Sequence, residues 1–123
     1  MQLTTHFHLD EFKSKDGAEF PSVIIGKLTE LAKALQIIRN ELRVPMSITS
    51  GYRSPAHNTV IGGAQNSMHM QGVAADFKAE GMSPTIVAAI IERLIKENKI
   101  PQGGLKAYRT WVHYDIRGTK ARW

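Results

Sequence analysis

One long amphipathic segment constrains the fold of this chain more than any other feature. Between Pro21 and Leu42 the apolar residues recur every three or four positions, the spacing that places side chains on one stripe of an α-helix. The stripe consists of Ile24, Leu28, Leu31, Leu35, Ile38 and Leu42. Such a stripe must be buried, and a chain of 123 residues is the size of one domain with one core. We therefore predict a single domain over residues 1–123.

Shorter segments of mixed type follow this helix. The predicted strands cover residues 44–50, 72–78, 105–108 and 111–116. Two further helices are predicted over residues 55–60 and 84–97, each opened by a Ser-Pro pair that suits the N-cap and the first helical position. Because strands and helices do not alternate regularly, we predict an α+β fold in which a largely antiparallel sheet packs against two main helices.

The composition restricts the chemistry. With 42% hydrophobic and 22% charged residues, the chain has the composition of an ordinary globular domain. It contains no cysteine, which excludes disulfides and thiolate metal ligands. The net charge of +5 would suit nucleic acid, an anionic membrane face or an anionic polymer such as the cell wall. Nucleic acid is disfavoured, because neither a helix-turn-helix signature nor a basic stripe with interleaved aromatics is present.

Two polar motifs lie on predicted strands or beside them. In the first, His69 precedes Asp76 by seven residues with Gly72 between them, so we place His69 in a loop that folds back over the strand of Asp76. The second is Trp111-Val-His113-Tyr-Asp115. The period of two along a strand puts its Trp, His and Asp on one face.

Two imidazoles and a carboxylate form a ligand set that suits zinc. Catalytic zinc sites use three protein ligands and keep a fourth position for water. A single histidine is more often structural than a ligand, and we interpret His6, His8 and His57 as surface or structural residues.

Three motifs in a fixed order resemble the M15 peptidases. They are Ser50-Gly-Tyr-Arg53-Ser-Pro, Ser67-x-His69-x-x-Gly72-x-Ala-x-Asp76 and Val112-His113-x-Asp115. The family includes zinc D-Ala-D-Ala carboxypeptidases and peptidoglycan endopeptidases, with a fold similar to the hedgehog signalling domain and the lysostaphin-type enzymes. The resemblance covers nearly the whole chain. The ending Arg117-Gly-x-x-x-Arg122-Trp123 looks like that of small phage and bacterial members.

The resemblance implies one zinc ion bound by His69, Asp76 and His113. It also implies a substrate role for Arg53, whose guanidinium fork can hold a carboxylate or a developing oxyanion. Ser67 is a candidate for a substrate hydrogen bond, with capping of its own loop as the alternative.

The chain departs from the family pattern at Thr110. Several M15 members carry a catalytic carboxylate at this position, three residues before the last histidine ligand, and threonine cannot replace it as a base. Asp115 is the substitute: it either accepts a proton from the water or orients a ligand histidine, and we favour the second role. An ion pair with Arg117 or Arg122 stays open as a third interpretation.

Aromatic residues are the remaining candidates for the cleft. Tyr108 and Trp111 are expected to line it, and Tyr108 could reach a substrate oxygen. Alternatively, both aromatic side chains belong to the hydrophobic core.

The resemblance implies a zinc-dependent peptidase, carboxypeptidase or endopeptidase, that acts on peptidoglycan. The alternative is an inactive, zinc-stabilised cell-wall-binding module. We expect a monomer without a secretory signal or membrane insertion, made in the cytoplasm and reaching the cell wall after release, as a phage lysis enzyme would.

Overall fold

The computed structural model describes all 123 residues and contains every predicted helix and strand. The α-helices are α1 (Ser22–Leu42), α2 (Pro55–Val60) and α3 (Pro84–Lys96). The strands are β1 (Met46–Ser50), β2 (Ala74–Ala79), β3 (Leu105–Ala107) and β4 (Val112–Asp115). Two short 3-10 helices, Leu9–Phe12 and Met68–Gln71, complete the fold. No helix has both the length and the apolar character needed to cross a bilayer.

The strands form one sheet in the order β1-β2-β4-β3, and each neighbouring pair is antiparallel. The predicted α+β class with an antiparallel sheet is therefore confirmed. Since β2 and β4 are central, Asp76 lies directly opposite His113 in the register. An irregularity in β1 after Ile48 places Ser50 opposite Asp76 on the other side. Polar residues from three strands thus meet at one point of the sheet.

The two faces of the central strands differ in chemistry. Ala75, Phe77, Val112 and Tyr114 belong to the hydrophobic core, together with the whole predicted stripe of α1. Their sequence neighbours Asp76, His113 and Asp115 lie on the opposite face because side chains alternate along a strand. The burial of α1 therefore determines which face of β2 and β4 is left for polar residues.

A tight turn brings His69 to this polar face. Ser67 caps the 3-10 helix Met68–Gln71, its hydroxyl accepting from the backbone N–H of His69 at 3.2 Å. Gly72 ends that helix in the left-handed conformation, with φ of 72°, and the chain then enters β2. The turn needs glycine, because a side chain is strained at this φ and a Cβ would also collide with Ile24. The loop expected before β2 is thus a short helix folded back toward Asp76.

Candidate metal centre and active-site cleft

His69, Asp76 and His113 converge on one point. One ligand atom from each residue lies within 4.8 Å of the others. Asp76 Oδ1 is 3.4 Å from His69 Nε2 and 3.0 Å from His113 Nδ1. Two ligands about 2.0 Å from a tetrahedral zinc ion lie roughly 3.3 Å from each other. The spacing of these atoms fits a single small cation.

The outer nitrogen of each imidazole is held by an acceptor. His69 Nδ1 lies 2.9 Å from the carbonyl oxygen of Gly51, and His113 Nε2 lies 2.8 Å from Asp115 Oδ2. A carbonyl and a carboxylate can only accept, so these nitrogens carry protons. His69 Nε2 and His113 Nδ1 are the atoms that face Asp76; the second lies 3.0 Å from Asp76 Oδ1, close enough to donate, and binding of a metal would replace this proton and use the lone pair. Ligand histidines in metal sites are commonly oriented in this way.

The electrostatics keep the candidate ligand Asp76 ionised. Burial opposes its charge, but hydrogen bonds and positive charge from His113 and His69 outweigh burial and lower its pKa to about 2. For His113, burial lowers the pKa, and hydrogen bonds to Asp115 and Asp76 more than reverse this effect, so its pKa is raised. A carboxylate that is charged at neutral pH is the form that binds a metal.

Asp115 lies behind His113 and outside the cleft. Its side chain is fully buried, and it forms an ion pair with Arg117, whose Nε and Nη2 lie 2.9 and 2.8 Å from the two carboxylate oxygens. The Gly104 N–H donates to Oδ1 at 2.8 Å. Burial raises the pKa of Asp115, but these donors and His113 hold it well below its usual range. Gly104 cannot be replaced here without displacing the carboxylate that a Cβ would strike.

Arg122 does not take part in this ion pair. Its guanidinium bonds both carboxylate oxygens of Glu92 at 2.8 and 2.7 Å. Of the two arginines considered from the sequence as partners of Asp115, the structure therefore selects Arg117.

A cleft of about 420 Å³ opens over the three candidate ligands. Arg53, Ser67, Tyr108 and Trp111 all line it. The rings of Tyr108 and Trp111 stack on each other, with centroids 4.6 Å apart and planes within 9°. Both aromatics thus lie at the cleft and not in the core.

Neutral side chains hold Arg53. Its Nη1 donates to Asn58 Oδ1 at 3.0 Å and to Ser67 Oγ at 3.4 Å, and its Nη2 donates to Ser50 Oγ at 3.5 Å. Burial lowers the pKa of Arg53, which Asp76 partly counters. Ser67 therefore contacts Arg53 and also caps its own helix.

Asn58 is a residue that the sequence analysis missed. It is buried, and its amide joins Arg53 to the next loop by donating to the Ala64 carbonyl at 2.9 Å. A signal was available: Asn58 lies one helical turn beyond the cap Ser54, where a side chain points back toward Arg53. Arg117 and Trp123 were also not proposed for the cleft, although both line it.

The other singled-out residues lie elsewhere. Thr110 is exposed and borders a separate groove with Met82 and Pro84. His8 caps the first 3-10 helix, and His6 contacts Gln36. Neither these two histidines nor His57 lines the cleft. None of the three belongs to the candidate ligand group.

The comparison with protein families agrees with this geometry. The pattern of the Peptidase M15 family matches residues 5–115, which include the three candidate ligands. The chain belongs to the Peptidase M15 family. This match confirms the resemblance to the M15 peptidases that the sequence motifs indicated. No curated protein matches the chain.

A solved structure supports the fold. The chain is similar to the crystal structure of the L-Ala D-Glu endopeptidase ChiX of Serratia marcescens, with a TM-score of 0.51 and 21% sequence identity. The match covers 79% of this chain and 88% of that one. At this identity the likeness establishes a shared architecture. The family match, by contrast, ends at residue 115, so the segment that contributes Arg117 and Trp123 to the cleft lies beyond it.

Proposed function

We propose that this chain is a zinc-dependent peptidase that hydrolyses a peptide bond in the stem peptides or cross-links of bacterial peptidoglycan. The observation that carries the proposal is the convergence of His69, Asp76 and His113, with the outer nitrogen of each ring held by an acceptor. Membership of a peptidase family and the L-Ala D-Glu endopeptidase activity named for the similar Serratia enzyme support the substrate class.

The donor set fits zinc. Two imidazole nitrogens and one carboxylate oxygen make three protein ligands, the number found in catalytic zinc sites. When bound there, zinc supplies Lewis-acid polarisation of a carbonyl and lowers the pKa of a water molecule. The open cleft on the same side gives a peptide access to this point.

Arg53 is our candidate for holding the substrate. Its hydrogen-bond partners are neutral, so its positive charge stays available for a substrate carboxylate or for an oxygen that becomes negative during reaction. The Tyr108 hydroxyl accepts from Trp123 Nε1 at 3.2 Å and keeps its own proton to donate to a substrate oxygen. Ser67 is the weaker candidate, because its oxygen already serves His69 and Arg53.

For Asp115 we propose the role of orienting His113. Its carboxylate is buried, contacts the outer nitrogen of that ring and does not line the cleft. A general base must lie within hydrogen-bond reach of the proton that it takes, directly or through one water. The position of Asp115 behind the ligand supports orientation over proton transfer.

The second candidate function is an inactive, zinc-stabilised module that binds the cell wall. One observation favours it: the only carboxylate among the residues that line the cleft is Asp76, which the metal would engage. Thr110 does not line the cleft either, so this chain has no free acid at the position where several M15 members carry one.

One digestion separates the two functions. Purified peptidoglycan is incubated with the zinc-loaded protein, and the released muropeptides are analysed by mass spectrometry. A peptidase produces new peptide fragments, which are absent after exhaustive chelation, return when zinc is added back, and are absent with His113→Ala. Intact muropeptides together with retention of the protein on the wall would support the binding module. Cleavage that survives chelation would reject both zinc-dependent functions.

A further inference from the structure

Residues beyond the family match build one wall of the cleft. The match ends at residue 115, yet Arg117 and Trp123 both line the cleft. Between them the chain returns to the sheet, where Ala121 forms a parallel bridge with Gly104. The Leu105 N–H donates to the Ala121 carbonyl at 3.1 Å and holds this return. The segment is thus anchored at the edge of the fold before it reaches Trp123.

Arg122 fixes the backbone next to Trp123. Besides its ion pair with Glu92, its Nη1 donates to the Gly103 carbonyl at 2.6 Å and to the Ala121 carbonyl at 2.8 Å. Four partners on one guanidinium, including Gln102 at 3.1 Å, leave little freedom to the chain at this point. The position of the neighbouring indole is therefore defined by the fold.

The indole of Trp123 contacts three residues of the cleft. Its ring lies edge-on to the His113 imidazole, with centroids 5.1 Å apart and planes at 69°. Its Nε1 donates to the Tyr108 hydroxyl, and the Arg117 guanidinium lies 5.8 Å from its ring centroid. Trp123 is nevertheless 53% exposed. A tethered indole with half of its surface open offers rigid apolar area to a ligand.

The order of the strands gives the cleft two chemically different ends. Arg53 follows β1 at one edge of the sheet, and Tyr108 follows β3 at the other edge. The central strands β2 and β4, which carry Asp76 and His113, lie between them. The first end is cationic. The second is aromatic: its arginine, Arg117, is neutralised by its ion pair with Asp115, and its lysine, Lys106, lies over the Tyr108 ring, with Nζ 5.2 Å from the centroid.

We propose that Trp123 is a specificity-determining residue. With Tyr108 and Trp111 it forms an aromatic end that binds the uncharged part of the substrate peptide on one side of the scissile bond, while Arg53 binds a carboxylate on the other side. This inference rests on the proposed function, because it takes a peptidoglycan peptide as the ligand. An apolar group placed at the aromatic end buries surface against the indole, and no uncompensated charge from Arg117 opposes it.

Binding tests the inference independently of cleavage. A synthetic stem peptide that contains L-Ala, D-Glu, a diamino acid and D-Ala is titrated by calorimetry into the full chain, with chelator present so that it is not hydrolysed. Trp123→Ala should raise the Kd about tenfold, the loss expected when an aromatic contact of about 1.4 kcal/mol is removed. Trp123→Phe, which keeps an aromatic face, should bind within about threefold of wild type on the same scale.

Two further variants serve as controls for this measurement. Ile86→Ala removes an exposed apolar side chain on α3, outside the cleft, and should leave the Kd unchanged. Trp123→Leu replaces the alanine variant if circular dichroism shows that the latter is unfolded. A folded alanine or leucine variant that binds like wild type would overturn the proposal, and so would a phenylalanine variant as weak as the alanine one.

A double variant tests the two ends. If Arg53 and Trp123 bind different parts of the peptide, the losses in Arg53→Ala and Trp123→Ala should multiply in the double variant, as independent sites do. A double variant no weaker than the weaker single one would overturn the two-ended cleft. In the zinc-loaded protein the same Trp123→Ala change should raise KM far more than it lowers kcat. Failure of wild type to release fragments from peptidoglycan would reject the proposed function while leaving the binding result intact.

Discussion

Two arginines line the same cleft, and the structure holds them in opposite ways. Arg117 forms a two-bond ion pair with the buried Asp115, so its charge is compensated within the protein. Arg53 donates to Asn58, Ser67 and Ser50, all of them neutral, at distances from 3.0 to 3.5 Å. Proximity to the cleft therefore does not by itself give an arginine a role in binding substrate. What separates a substrate-binding arginine from a structural one is whether the protein has already supplied its anion.

The largest expected effect is the loss of hydrolysis when Asp76 is replaced. Asp76→Ala removes the carboxylate that both candidate histidine ligands approach. Because metal polarisation contributes several kcal/mol to such reactions, hydrolysis should fall on the order of 1000-fold. Zinc content by elemental analysis should fall in parallel. A variant that keeps both zinc and activity would contradict the assignment of Asp76 as a ligand.

The next effect tests the structural arginine. Arg117→Ala should lower the free energy of unfolding by about 2 kcal/mol, because it leaves the buried Asp115 without its main counter-ion. Chemical denaturation measures this change. The control is Arg93→Ala, which removes exposed ion pairs with Glu41 at 2.7 Å and with Glu97 at 3.1 Å; surface pairs of this kind contribute little to stability. Equal losses in both variants would mean that burial of Asp115 has no special consequence.

Arg53, the arginine proposed to bind substrate, should affect activity more than stability. Arg53→Ala should reduce kcat/KM between about tenfold and 100-fold, the range for a lost hydrogen bond to a charged group. Its stability should change little, since no buried carboxylate depends on it. Lys120→Ala removes the same charge from an exposed position and controls for net charge. The comparison of the two arginines fails if Arg53→Ala unfolds the protein at a denaturant concentration as low as Arg117→Ala does.

The smallest effect concerns Asp16, which accepts a hydrogen bond from Ser54, the residue that follows Arg53. Asp16 accepts from Ser54 at 2.6 Å and from Ser14 at 2.7 Å, and these bonds lower its pKa from 3.8 to about 2. A depressed pKa means that the fold favours the charged form, so this stabilisation is present above about pH 4 and is lost as the pH falls through 2. Asp16→Asn should therefore lower the Tm slightly at pH 6, with a difference from wild type that shrinks as the pH falls from about 4 through 2. A difference that stays constant with pH would exclude this carboxylate as its source.

Much of the fold could be predicted because it depends on local periodicity. The stripe of α1 needs only regular spacing, and α2 and α3 begin at the Ser-Pro pairs that the sequence displays. The alternation in β4 similarly separates Val112 and Tyr114 from His113 and Asp115. The predicted ends of the strands were less accurate. Trp111 falls just outside β4, because pairing with the neighbouring strands, and not side-chain type, determines where a strand begins.

The order and spacing of residue types are enough to predict the elements, the family and the small set of histidines and aspartates from which a metal site could be made. They also limit the partners of Asp115 to two arginines. These inferences follow from the order and spacing of residue types, which are present in the unfolded chain as well.

By contrast, the packing of the whole chain fixes which atoms face the candidate metal position and which arginine remains available. The carbonyl of Gly51 sets the proton of His69, Arg117 rather than Arg122 compensates Asp115, and Trp123 returns to the cleft from beyond the family match. The His69 contact joins residues 18 apart in the chain, and Arg122 is held away from Asp115 by Glu92, which is 30 residues from it. Hydrogen bonds and ion pairs act over a few ångströms, so the contacts formed depend on how the whole chain packs.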